Sequence, residues 1–161
     1  MVKEIDSNEL NELLELYLHL HEETIPSVSE HLNSTWDTII QDKNHHIIIN
    51  KVENKIVSSC VCVIIPNLTR NIRPYAFIEN VVTHKDYRGK GYATQCLNYA
   101  KEIAVKENCY KMMLLTAAIT DGLSSRYVTT NHTALVSSTS TDSSPRCIRR
   151  STMSGRVNSA V

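Results

Sequence analysis

The sequence predicts a mixed α/β domain, and three observations carry that prediction. The runs HIIIN (46–50), IVSSCVCVII (56–65) and YAFIENVVTH (75–84) are short, bounded and rich in β-branched residues, as strands are. From Tyr92 the apolar spacing becomes that of a helix, with Ala93, Cys96, Leu97, Ala100, Ile103 and Ala104 on one stripe. A strand, a glycine turn, that helix and the strand KMMLLT follow in order. This is one βαβ unit, whose two strands are neighbours or near neighbours in a partly parallel sheet.

Before that unit, SNELNELLELYLHLH carries Leu10, Leu13, Leu14, Tyr17 and Leu18 at helical spacing, with Ser7 placed to cap the helix. Ser29, Trp36, Ile39 and Ile40 frame a second, shorter helix ending near Asp42, and Pro26 falls between the two. Glu53 and Asn54 form the turn between the first two strands. On the second strand Val61 and Val63 share one face, Cys60 and Cys62 the other. NLTRNIRP is a polar connection, and Asn108 closes the long helix.

A chain of 161 residues is long enough for one compact domain with a core of its own. Its formal charge of zero offers no general attraction to nucleic acid. The charge is uneven, however. Residues 1–115 hold 12 Lys or Arg against 15 Asp or Glu, and residues 116–161 hold five Arg, no Lys and two Asp. Five cysteines, an odd number, with no secretory segment ahead of the domain, predict a reducing compartment, the cytoplasm. No apolar run reaches membrane-spanning length, and the sequons at Asn33, Asn67 and Asn131 are then incidental.

Beyond Thr116 this grammar stops. Residues 116–161 contain 18 Ser or Thr against 12 in the first 115, and VSSTSTDSSPR has too little apolar surface to offset its ordering entropy. The expected division is a domain over 1–128 and an atypical Ser/Thr-rich segment over 129–161: a divergent end, a disordered tail or the product of a shifted reading frame.

The chemistry concentrates in HKDYRGKGYATQ (84–95). Two glycines flank Lys90 just before the long helix, where converging N–H groups and the positive end of a helix dipole suit a phosphate. A solvent-exposed charged turn is the alternative reading. GxxxxGK[ST] is absent and GxGxxG fails after the second glycine, so neither nucleotide hydrolysis nor dinucleotide chemistry gains support.

IENVVTHKDYRGKGYATQCLNYA resembles the coenzyme-A-binding core of the GCN5-related N-acetyltransferase (GNAT) family. That family's glycine motif reads Gln or Arg, two residues, Gly, one residue, Gly or Ala, and Arg88, Gly91 and Ala93 match it. The resemblance spans about residues 5–127. It implies a mixed, mostly antiparallel sheet with a splayed parallel pair, flanked by helices, with the last strands missing or altered. It further implies acetyl-CoA as acetyl donor. The backbone of Arg88, Gly89, Lys90, Gly91, Tyr92 and Ala93 would cradle the pyrophosphate, and the edge at Val81, Val82 and Thr83 would pair with the pantetheine arm. A backbone N–H near Val81 or Val82 would stabilise the oxyanion.

Two side chains carry over as catalytic candidates. Glu79, on the motif strand, would take the amine's proton, although a carboxylate at its ordinary pKa of about 4 is a poor base unless burial raises it. His84 is the lesser substitute. Tyr127 lies eleven residues after Thr116, where relatives carry, on a last helix, the tyrosine that protonates the leaving thiolate. VTTNH then stands where the family's Glu-Lys-x-Gly-Phe would follow. For each, an ordinary surface or packing role is the plainer alternative.

The expected function is N-acetyl transfer to a small primary amine, directly in a ternary complex, since no partnered nucleophile is visible for a covalent intermediate. The alternative is an inactive acyl-CoA-binding or regulatory module. Glu22, Glu23 and Glu30 could draw a cationic acceptor, and Arg70 and Arg73 an anionic one. His19 with His21, His45 with His46, and Cys60 with Cys62 lack further ligands at motif spacing, so no metal is expected. No nucleic-acid or membrane partner is expected, and a homodimer is left open.

Overall fold

The structure, a computed structural model, describes residues 1–20, 22–117 and 125–130. Among these residues six strands form one sheet in sequential order: β1 (Val2–Glu4), β2 (His45–Val52), β3 (Lys55–Ile65), β4 (Tyr75–Thr83), β5 (Met112–Ala117) and β6 (Ser125–Thr130). Helices α1 (Leu10–Tyr17) and α2 (Glu30–Gln41) precede β2, and α3 (Tyr92–Lys106) connects β4 to β5. Among the described residues only β4 and β5 run parallel; every other neighbouring pair is antiparallel. The mixed, mostly antiparallel sheet is therefore as expected, with the one parallel pair produced by the α3 crossover.

Strand alternation splits the core into two layers. Ile48, Cys60, Cys62 and Ile78 meet Cys96, Ala100 and Ala104 of α3 on one face, while Ile47, Ile49 and Val61 meet Leu13 and Leu16 of α1 and Trp36 of α2 on the other. The small residues on α3 let its backbone lie close to the sheet. Burial pushes the Cys62 thiol up to about 12. It, Cys60 and Cys96 act here as small apolar groups in the core.

Local chemistry accounts for the element ends. Glu53 and Asn54 both take positive φ (50° and 63°) with Val52 opposite Lys55, a two-residue hairpin of the type that suits strand twist. Ser29 Oγ accepts the Leu32 N–H at 3.2 Å and caps α2. Asn108, at φ 56°, closes α3: its N–H donates to Val105 O at 3.0 Å and that of Cys109 to Ala104 O at 2.8 Å, the paired bonds of a Schellman end.

Two expectations near the N-terminus change, and one element is added. Asp6, not Ser7, occupies the cap of a short 3-10 turn leading into α1, where the Glu9 carboxylate accepts the Asp6 N–H at 2.8 Å. The buried stripe of α1 is Leu13 and Leu16, while Leu18, expected inside, is exposed. Leucines occur all around this helix, so spacing alone did not single out the face that the sheet selects. MVKEI, too short for a periodicity reading, contributes edge strand β1, with Lys3 opposite Ile49.

Candidate active site

The turn between β4 and α3 is built as its glycines require. Gly89 and Gly91 have φ of 74° and 80°, the left-handed region, and a side chain at either would meet open space. Backbone conformation, not room, selects glycine there. Gly91 caps α3 without a side chain, the first turn carries no acidic residue, and the Gln95 N–H is bonded to Gly91 O at 3.1 Å. The amides of Tyr92, Ala93 and Thr94 precede that bond and stand where an anion can be received. This arrangement fits a phosphate group.

The strand feeding this turn is paired unequally. β4 pairs with β3 along its length, from Tyr75 opposite Ile65 to Thr83 opposite Ser58. Its pairing with β5 covers only Ala76, Phe77 and Ile78, opposite Met112, Met113 and Leu114. Past Ile78 the parallel strands part, so the edge over residues 79–83, including Val81, Val82 and Thr83, faces away from β3 without a strand partner among the described residues. A bulge accompanies the parting: the register slips between Ser59 and Val61, and Asn80 adopts φ 49°.

Glu79 is the first residue beyond the parallel pairing, half-buried, and its carboxylate has no ion-pair or hydrogen-bond partner among the described residues. Tyr127 lies on β6 opposite Leu115, one step past the Leu114–Ile78 pair. The register thus brings the two candidates to the same height of the sheet, on either side of β5. Tyr127 sits on a strand, however, and not on the last helix that the resemblance implied. SRYVTT is rich in β-branched and aromatic residues, and it pairs along the whole of β5.

The comparisons with known proteins recover this fold. The model of the Acetyltransferase (GNAT) family matches residues 10–124. This chain belongs to the GNAT family. A protein described as an acetyltransferase from Agrobacterium tumefaciens str. C58 is 35% identical, with a TM-score of 0.69 over 74% of this chain and 83% of that one. An acetyltransferase from Trypanosoma brucei is 26% identical, with a TM-score of 0.64 over 73% and 83% of the two chains. Glucosamine-6-phosphate N-acetyltransferase from Arabidopsis thaliana, 20% identical with a TM-score of 0.67 over 73% and 82%, shares the fold.

Within this GNAT domain several residues take places the sequence did not foretell. His84 Nδ1 accepts the Asp86 N–H at 3.3 Å and so shapes the short 3-10 turn Lys85–Tyr87; this is a structural role. Arg73, considered for an anionic acceptor, donates instead to Asn108 O and Cys109 O, both at 3.0 Å. It therefore secures the end of α3 at the opposite end of β4 from the glycine turn. A cavity of about 360 Å³ lined by Asn44, Ile64, Leu68, Ile72 and Glu107 lies at that same far end. Glu22 and Glu23 are exposed on the connection after α1, and Glu30 is exposed as the first residue of α2.

Tyr17 was read only as part of a helical stripe. Burial pushes its phenol up to about 12, against the opposing influence of the Ser59 and Asn80 side chains, so the hydroxyl is neutral and sits by the β4 bulge. A lone Asn before two valines was the available signal for that bulge, because Asn tolerates left-handed backbone. Among the described residues no cluster of three or more His, Cys, Asp or Glu could hold a metal ion, and no helix is long and apolar enough to cross a membrane.

Proposed function

We propose that this GNAT protein transfers the acetyl group of acetyl-CoA to a small primary amine, directly, in a ternary complex. The observation that carries the reading is the end of β4–β5 pairing at Ile78 and Leu114, which leaves a strand edge, unpaired among the described residues, running into an anion-receptive helix start.

In this reading the edge at Val81, Val82 and Thr83 offers strand-type hydrogen bonds to the pantetheine amides, and the backbone from Arg88 to Ala93 holds the pyrophosphate. The thioester then lies in the parting, within about 3–3.5 Å of the amine. Glu79 accepts the proton of the attacking amine, directly or through water. An N–H at the bulge, near Val81 or Val82, faces the developing oxyanion, and Tyr127 returns a proton to the departing thiolate. Glu22, Glu23 and Glu30 favour a cationic amine at the entrance.

A second reading, a coenzyme-binding module without turnover, is favoured by the strand placement of Tyr127. Thiol release from acetyl-CoA with polyamines, amino sugars, amino acids and peptides separates the two. The enzyme turns over at least one amine. The module gains only thermal stability from the coenzyme, and a protein that does neither overturns both readings.

A further inference from the structure

The glycine turn reaches outward through exposed residues, yet a set of contacts from another element fixes it. Arg88, matched above to the motif's basic position, directs its guanidinium away from the helix start. Its Nε–H donates to Thr83 O at 3.2 Å and its Nη2–H to His19 O at 3.4 Å, bridging the end of β4 and the residues just after α1. The His19 ring meets His84 edge-on, with centroids 4.2 Å apart. From His84 the contacts continue to Tyr87 at 5.5 Å and from Tyr87 to Tyr92, the first residue of α3, at 6.1 Å. Lys90 Nζ stands 5.1 Å over the Tyr87 ring and donates to Asp86 O at 3.2 Å.

We propose that Arg88 and His19 are positioning residues of the coenzyme site, which latch the end of α1 to the glycine turn and hold its amides in place before the coenzyme arrives. The inference rests on the coenzyme reading above. Two left-handed glycines bring wide conformational freedom, and a turn held in its binding geometry binds more tightly because less ordering accompanies association. The groups around His19 agree with a packing role. Burial, then His84, Lys85 and Arg88, lowers its pKa, with Asp86 opposing, which favours the neutral ring that packs as an aromatic plane. An imidazole in that form, just after α1, contributes no charge to a phosphate, which makes it the informative half of the latch. The connection carrying Glu22 and Glu23 leaves α1 at this point, so the latch also joins the acceptor side to the coenzyme side.

The test uses the full chain and three substitutions, Arg88→Ala, His19→Ala and His19→Phe. Two quantities are measured: amide hydrogen exchange over residues 85–93 without coenzyme, and calorimetric affinity for coenzyme A at low and high ionic strength. Melting curves confirm that each variant is folded. Arg88→Ala and His19→Ala are expected to speed exchange at Gly89, Lys90 and Gly91 and to weaken coenzyme A binding roughly five- to tenfold, with the wild-type salt dependence retained. His19→Phe, which keeps the edge-on packing, stays near wild type. The Arg88 bond runs to the main-chain oxygen of His19, which a His19 substitution keeps, so the double alanine variant is expected to bind coenzyme A more weakly than either single one.

Unchanged exchange and affinity in His19→Ala overturn the proposal. So does an Arg88→Ala variant with unchanged exchange and a shallower salt dependence, which would make Arg88 a direct phosphate ligand. If the wild type fails to bind coenzyme A, the proposed function falls, while the exchange arm still decides whether the latch exists.

Discussion

Residues 76–78 of β4 are paired with strands on both sides, whereas residues 79–83 have β3 as their one strand partner among the described residues. In the first half Ala76 and Ile78 are fully buried under α3, as core residues are in any sheet of this kind. In the second half the register slips, Asn80 turns left-handed, Glu79 carries a carboxylate without a partner among the described residues, and the chain leaves through glycines into a helix whose cap has no side chain. One strand therefore closes the core at one end and leaves its backbone open at the other. Pairing supplies the stability that the open half gives up.

If that division holds, substitutions in the two halves separate activity from stability. The largest effect is expected from Glu79→Gln, in the open half. Thiol release with the preferred amine should fall by about 10²–10⁴-fold, the range of a lost general base, while urea unfolding stays within about 0.5 kcal/mol of wild type. An equal loss of both would place Glu79 in the structural half.

Next comes Ile78→Ala, in the closed half, where a fully buried side chain leaves a cavity. It should destabilise the fold by about 2–5 kcal/mol in urea titration and leave coenzyme A affinity near wild type wherever the variant is folded. Gly91→Val, at φ 80°, should lower stability by only about 1–2 kcal/mol, yet weaken coenzyme A binding by more than about tenfold, because the strain falls on the amides that would receive the phosphate.

The smallest effect lies outside both halves and serves as a control. Burial acts to raise the Glu9 carboxyl, but the Asp6 N–H together with Lys51 and Lys3 outweighs it and holds the group at about 2, against 4.5 ordinarily. A carboxylate depressed in the folded state stabilises above its unfolded value, so this contribution is lost as pH falls from 4.5 towards 2. His19 and His45 are lowered, chiefly by burial, so their unfolded forms take up protons first and stability also declines as pH drops below 6.5. In denaturant titrations across pH, Glu9→Gln should flatten the lower part of this decline and leave the upper part intact.

Much of this architecture could be read from the residues because local and tertiary preferences agree. The hairpin at Glu53 and Asn54, the Ser29 cap, the Asn108 end and the small-residue stripe of α3 are each visible within a few positions of sequence. The glycine turn was legible for the same reason, since φ demands are local. The last stripe of α1 was not, because leucines at 13, 14, 16 and 18 permit two faces and only the sheet chooses between them. Nor was the point at which β4 and β5 part, which is a property of two strands that are distant in sequence. The latch between His19 and His84 shares that origin: it joins residues 65 positions apart, and no spacing rule relates them.

The central claim is that coenzyme A binds along the open half of β4 and at the start of α3. Amide resonances of the full-length protein, followed as coenzyme A is titrated in, test it most directly. Shifts concentrated at residues 81–83 and 89–93, with residues 76–78 unmoved, are the predicted result. Unmoved glycine-turn amides, or shifts gathered instead around the far cavity at Ile64, Leu68 and Ile72, would contradict it.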